Sequence, residues 1–310
     1  MLSRPDILVL GGGGVLGEAW LTGVLAGLED GASIDLRRCE YLVGTSAGSI
    51  VAARLAAGQS PRRPSNLRET WAEAENHASP TTPARALQLA RNAGEWAVAL
   101  STPVAALSLA ATASGGALAR AAALRAMGRG KMSLERLERE VDGLGARFDG
   151  RLRIITVNRR NGRRVVFGQP SAPPASVGVA VAASCSVPWL FAPVRIGDVE
   201  YVDGGVWSPT NLDAAPAGRG SEVLCLNPTA SLAGYGGLLN AARFTSRGVV
   251  AVEAAALRRR GATVRVISPD PASASEMGWN LMSAEPSGRV LAAGYRQGRR
   301  LAGQEALTAS

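Results

Sequence analysis

Apolar residues follow two rhythms along this chain. Residues 6–10 are a short apolar run ended by glycines and read as a buried strand. Residues 18–29 place Trp20, Leu21, Val24, Leu25 and Leu28 at helical spacing. Residues 40–43 are a second strand, running into Gly44-Thr45-Ser46-Ala47-Gly48 and then a small-residue helix over 49–57, with Gly58 as its stop. Further strands are expected at 152–157, 164–167, 222–226 and 263–267, the first two joined by an Asn161-Gly162 hairpin turn. Ser133 is placed to cap a helix over 134–141, and other helices are expected around 249–260 and within 288–302. Strands alternating with helices predict an α/β domain whose mostly parallel sheet is covered on both faces.

From about residue 60 the pattern changes. The chain becomes rich in Ala and Arg and is broken by Pro61, Pro64, Pro80, Pro83 and Pro103. Several short helices are expected here, forming a cap or insertion at about 60–131 within a single domain over 1–310. The uncharged stretch 96–119 is long enough to span a bilayer, but Pro103, Gly115 and Gly116 interrupt it and leave its hydrophobicity marginal. Leu87, Leu89, Trp96, Val98, Leu100, Val104, Leu107 and Leu109 supply apolar surface, followed by Arg120, Arg125, Arg129 and Lys131. Such a segment fits a cap in peripheral contact with an anionic membrane, and equally core helices with solvated arginines.

Composition narrows this picture only slightly. An apolar fraction of 46% supports a sizeable core, and with 5% aromatics that core must be mainly aliphatic. The net charge of +9 invites a nucleic-acid or membrane reading. The positive charge is almost all arginine, Lys131 being the only lysine, which fits a compositional bias as well; no nucleic-acid partner is expected. Cys39, Cys185 and Cys225 suggest neither a disulfide framework nor a zinc site and fit a reducing, cytoplasmic setting.

Three constellations carry candidate chemistry. Gly44-Thr45-Ser46-Ala47-Gly48 is a G-x-S-x-G string between a strand and a helix, where a sharp turn with small neighbours would project the Ser46 hydroxyl. Gly11-Gly12-Gly13-Gly14-Val15-Leu16-Gly17 is a second such turn, whose amides could converge on an anion. That anion is the oxyanion of acyl transfer, held by Gly12, Gly13 and Gly14, or a dinucleotide phosphate, since Gly12, Gly14 and Gly17 also match G-x-G-x-x-G. A purely structural turn is the third reading. A serine nucleophile needs a base, and His77 is the single histidine, lying upstream of where a hydrolase histidine belongs. Asp203, ending the apolar run Tyr201-Val202 before Gly204-Gly205, is the candidate carboxylate, although the same string would serve as a simple turn. Burial would raise its pKa and improve it as a proton acceptor.

Together these pieces resemble the patatin-like phospholipase family. Gly12-Gly13-Gly14-Val15-Leu16-Gly17 is similar to its oxyanion loop, Gly44 to Gly48 to its nucleophile elbow, and Asp203-Gly204-Gly205 to its acid motif. Between them, Ala182-Ala183-Ser184-Cys185-Ser186-Val187-Pro188-Trp189-Leu190-Phe191-Ala192-Pro193 is similar to the family's A-S-x-x-x-P-x-x-F-x-P block, and Asn211 also fits. The resemblance spans roughly residues 6–230. It implies a three-layer α/β/α fold, a Ser46–Asp203 dyad and acyl-enzyme hydrolysis of lipid esters, of phospholipase A or lysophospholipase type, without metal or cofactor. The same dyad would also serve an acyltransferase, and a nucleotide-binding module is the other alternative. Leu16 departs from the basic residue usual in this loop, which bears on phospholipid preference more than on ester chemistry.

Overall fold

The computed structural model describes residues 3–64, 116–231 and 238–308. Its centre is an eight-stranded sheet: β1 (Ile7–Leu10), β2 (Tyr41–Thr45), β3 (Leu152–Asn158), β4 (Arg164–Phe167), β5 (Val194–Ile196), β6 (Val199–Asp203), β7 (Glu222–Leu226) and β8 (Thr263–Ile267). The order is β5-β6-β3-β2-β1-β7-β8, with β4 also on β3. Strands β3, β2, β1, β7 and β8 run parallel, while β4, β5 and β6 enter antiparallel. The described helices are α1 (Gly14–Ala32), α2 (Ala47–Ala56), α3 (Gly116–Ala126), α4 (Glu135–Asp142), α5 (Val177–Ser184), α6 (Leu238–Arg259), α7 (Pro271–Met277) and α8 (Ser287–Thr308).

Strand alternation sorts the core into two layers. Leu8, Leu10, Leu42, Ile154, Leu224 and Leu226 face a cluster built with α1, α2, α5 and α8. Their neighbours Ile7, Val9, Val43, Ile155, Val223 and Cys225 face a second cluster containing Val250, Ala254 and Leu257 of α6. The three-layer α/β/α arrangement is therefore written into six strand residues and the six beside them. On the first face α1 and α8 meet backbone to backbone: a Cβ added at Gly23 would lie 2.2 Å from the Leu291 carbonyl oxygen, and one at Gly298 2.3 Å from that of Val24.

The register around β3 is what builds the site. Residues 154–157 pair with β4, residues 152–155 (β3 side) with β2, and residues 156–158 with β6. One edge holds β4, so β2 and β6 must share the other, one after the other. Their directions are opposed, so they meet C-terminus to C-terminus: Thr45 stands opposite Ile155 and Asp203 opposite Thr156. Whatever follows Thr45 is thereby brought beside Asp203.

Most of the expected insertion, and His77 with it, lies outside the described residues. Its final part, α3, corrects one expectation. Arg120 is not a solvated member of a basic surface cluster; it is 3% exposed, donates to the Gly162 carbonyl at 2.9 Å and lies over the Trp207 ring at 4.2 Å. Ala121 and Leu124 are buried beside it, while Arg125, Arg129 and Lys131 are exposed. The Asn161-Gly162 turn does join β3 to β4 as a hairpin. The helix expected at 18–29 begins four residues earlier, because the last glycine of the cluster already has helical hydrogen bonding. Helix α5 and the short α7 were not anticipated; α5 is a run of Val, Ala and Gly, buried but for the half-buried Val179, so it has no polar face to mark its period. Among the described residues no helix is long and apolar enough to cross a membrane.

Candidate active site

Ser46 stands between the last residue of β2 and the first of α2, with φ 51° and ψ −124°. A positive φ at a residue bearing a Cβ costs on the order of 1–3 kcal/mol and persists only where neighbours hold it. Here both its peptide groups are held. The Ser46 amide donates to Ser184 Oγ at 2.9 Å, and the Ser46 carbonyl accepts from the Ser49 amide at 2.8 Å and from Ser49 Oγ at 2.6 Å. The flanking glycines are steric necessities. A Cβ at Gly44 would lie 2.5 Å from Ser49 Cα, and one at Gly48 2.1 Å from the Leu10 carbonyl oxygen, because α2 folds back over the ends of β1 and β2.

The acid arrives from β6. Asp203 is 5% exposed; its amide donates to the Ser186 carbonyl at 2.9 Å. Its Oδ1 accepts from the Gly205 amide at 2.7 Å, and its Oδ2 accepts from Ser46 Oγ at 2.8 Å. Burial pushes the carboxyl up to about 6, a rise the Gly205 amide and the Ser46 hydroxyl only partly offset. A carboxylate so placed is ionised at neutral pH yet far more basic than one in water, as proton transfer from a hydroxyl requires.

The loop after Asp203 is fastened by Asn211, which is fully buried in a left-handed conformation. Its Nδ2 donates to Thr45 Oγ1 at 3.2 Å, to the Gly204 carbonyl at 3.2 Å and to the Ser208 carbonyl at 2.8 Å, tying β2 to the loop after β6. Glu253 of α6 grips the residues on either side, accepting from Thr210 Oγ1 at 3.1 Å and the Leu212 amide at 3.0 Å. Burial, then the charge of Asp213, raises the Glu253 carboxyl well above the usual range. Arg164 in turn pairs with Asp213 and reaches Asn211 Oδ1 at 3.3 Å.

The glycine loop lies against the elbow. A Cβ at Gly12 would sit 3.2 Å from Ser46 Cβ, tighter than side chains ordinarily pack, so the two turns lie in direct contact. The Gly12 amide is already engaged, donating to the Pro209 carbonyl at 2.9 Å, as the Gly11 amide donates to Leu226 at 3.0 Å. Gly12 therefore supplies proximity rather than a donor. The amides of Gly13 and Gly14, at the start of α1, have no hydrogen-bond partner among the described residues and remain for a ligand. Leu16 is fully buried in the core and its amide donates to the Leu281 carbonyl at 2.9 Å. The loop is thus fixed by apolar packing where a basic side chain would reach solvent or a salt bridge.

The fold brings together Ser46, Asp203 and the glycine loop from three parts of the chain. Sequence reasoning assigned no role to Glu253 or to Ser184, although Ser184 stands in the A-S-x-x-x-P-like block. A buried acid in mid-helix has no spacing signature, and the target of a serine hydroxyl is fixed only by the strands around it. Among the described residues no group of His, Cys, Asp or Glu side chains is arranged to hold a metal ion.

No curated protein matches the chain. Among solved structures, that of VipD from Legionella pneumophila aligns over 97% of this chain and 67% of its own, at 17% identity and a TM-score of 0.43. The family model described as patatin-like phospholipase matches residues 8–216, a span running from the first core strand through the elbow and the acid to the Asn211 loop. The chain belongs to the patatin-like phospholipase family.

Proposed function

We propose that this member of a lipid hydrolase family is a serine acyl hydrolase of phospholipase A or lysophospholipase type, with Ser46 as nucleophile and Asp203 as general base. The observation that carries this reading is the 2.8 Å hydrogen bond from Ser46 Oγ to a buried Asp203 carboxylate, made by a serine held at φ 51°. Asp203 takes the Ser46 proton as Oγ attacks the ester carbonyl. The tetrahedral oxyanion is held by the amides of Gly13 and Gly14, aided by the positive end of the α1 dipole. The protonated Asp203 returns its proton to the leaving alcohol, giving an acyl-enzyme. Water, deprotonated by Asp203, then attacks that ester; Asp203 returns the proton to Ser46 Oγ as it leaves, and the fatty acid is released.

The lipid surface is met by exposed basic residues, which after the burial of Arg120 narrow to Arg125, Arg129 and Lys131. Arg129 is partly balanced by Glu200 at 2.5 Å. The test is fluorophosphonate labelling of the purified protein, with the labelled residue located by mass spectrometry, followed by a lipid panel presented in neutral and anionic vesicles. Labelling at Ser46 and release of fatty acid are expected; turnover without labelling at Ser46 would refute the assignment.

A further inference from the structure

Ile155 marks the point on the β3 edge where β2 ends and β6 begins, since Thr45 is its partner and Asp203 pairs with the next residue. At this junction the ladder changes from parallel to antiparallel. Ser184, at the end of α5 and fully buried, reaches into it. Its Oγ donates to the Ile155 carbonyl at 2.6 Å and accepts from the Ser46 amide at 2.9 Å. One hydroxyl thus satisfies a main-chain acceptor of the sheet and a main-chain donor of the elbow. Ser186, just past the end of α5, instead donates its Oγ back to the Ala182 carbonyl of that helix at 2.9 Å.

We propose that Ser184 is a positioning residue for the nucleophile: its hydroxyl anchors the Ser46 peptide plane to β3 and so holds Ser46 Oγ against Asp203. The proposal rests on the dyad reading above. A residue at positive φ relaxes unless its peptides are pinned, and Ser49 pins only the carbonyl side. Without Ser184 the amide side is released, and the Ile155 carbonyl loses the same partner. A displacement of the attacking oxygen by about 1 Å is enough to lower a rate by roughly 10²-fold. The Ser46 amide, committed to Ser184, is not an oxyanion donor.

The experiment is fluorophosphonate labelling and short-chain ester hydrolysis by the wild type, Ser184→Ala and Ser184→Cys. The cysteine variant keeps the side-chain shape with a somewhat larger atom and weakens both hydrogen bonds, and it decides alone if the alanine variant does not fold. A positioning role predicts labelling at Ser46 with a stoichiometry of one per chain, a labelling rate constant and kcat at least about tenfold lower, and KM within about twofold. A merely structural role predicts the reverse, with fewer labelled molecules at an unchanged rate constant, and that result would overturn the proposal. Wild-type rate constants at full stoichiometry in the variants would overturn it too. Failure of the wild type itself to label at Ser46 is a separate outcome, which removes the dyad and the proposal with it.

Discussion

Two strand-turn-helix units stand side by side in this molecule, β1 with α1 and β2 with α2, in register at Leu10 and Gly44. Each turns through a left-handed residue where its helix begins: Gly14 at φ 61° in the first, Ser46 at φ 51° in the second. The first unit uses glycine there and stores no strain; what it presents is main chain, two amides without a hydrogen-bond partner among the described residues. The second, on the proposed function, presents a side chain; it carries the unfavourable conformation on a serine, surrounded by Ser49, Ser184 and two glycines that hold it. The same turn is therefore cheap or strained according to whether the site needs its backbone or its hydroxyl.

The comparison is broken most completely at Ser46. Ser46→Ala keeps the turn and removes the attacking atom, so ester hydrolysis should fall by roughly 10⁴-fold or more and labelling should vanish, with circular dichroism unchanged. Turnover retained in the purified variant would show that the strain at Ser46 has another purpose. Asp203→Asn should lose activity almost as severely and yet gain stability. Its carboxyl is raised from an ordinary 3.8 to about 6, so the folded protein binds more protons than the unfolded chain between these values, and ionisation of Asp203 costs stability as pH rises through them. Asparagine lifts that cost, on the order of 3 kcal/mol above pH 7 and vanishing below about pH 4. Thermal melts of both proteins across that range test the sign. In the wild type, kcat/KM should decline as pH falls through about 6, because protonated Asp203 cannot accept the Ser46 proton.

The two units should also differ in how they tolerate alanine. Gly48→Ala drives a Cβ into the Leu10 carbonyl oxygen at 2.1 Å, a backbone clash that should show as lost folded protein. Gly13→Ala meets the Pro228 Cβ at 2.6 Å and the Gly17 Cα of α1 at 2.9 Å, so the proline ring or the helix start must shift, though by less than the 2.1 Å contact at Gly48 demands. It should fold with a lower melting temperature, and its kcat should fall by about 10²-fold as the amides shift away from the oxyanion. Equal melting temperatures and equal rates for the two variants would erase the distinction between a turn that shapes a strand-helix packing and one that places donors. The smallest effect is expected outside both turns: His77→Ala should change kcat/KM by less than about twofold, as measured on a short-chain ester.

The elbow was legible because its information is local. Gly44, Ser46 and Gly48 lie within five residues, and the strand before them and the helix after them carry their own apolar periods. The glycine loop was legible in the same way as a turn, but not in detail, since the loss of the Gly12 amide to Pro209 depends on a residue about two hundred positions away. Arg120 was misread because charge at a sequence position says nothing about a Trp207 ring waiting above it. Leu16 was recognised as a departure, and its burial explains how the loop stands without a basic side chain there.

By itself, the sequence determined the layers and the chemistry available. Alternation of Ile7, Leu8, Val9 and Leu10 and of their counterparts decides which residues face each helix layer, because side chains of a strand alternate whatever surrounds them. Its single histidine, His77, follows the elbow too soon for the order usual in hydrolases, and this turned the reading toward a carboxylate base whatever the fold. Only the tertiary structure decided which carboxylate meets the serine, and how basic it is. That follows from two strands sharing one edge of β3 and ending head to head, with Ser184 closing the junction between them. Register between strands more than a hundred residues apart is a property of the assembled sheet. So is the burial that lifts Asp203, because a low dielectric is made by every residue packed around the carboxyl and by none of them alone.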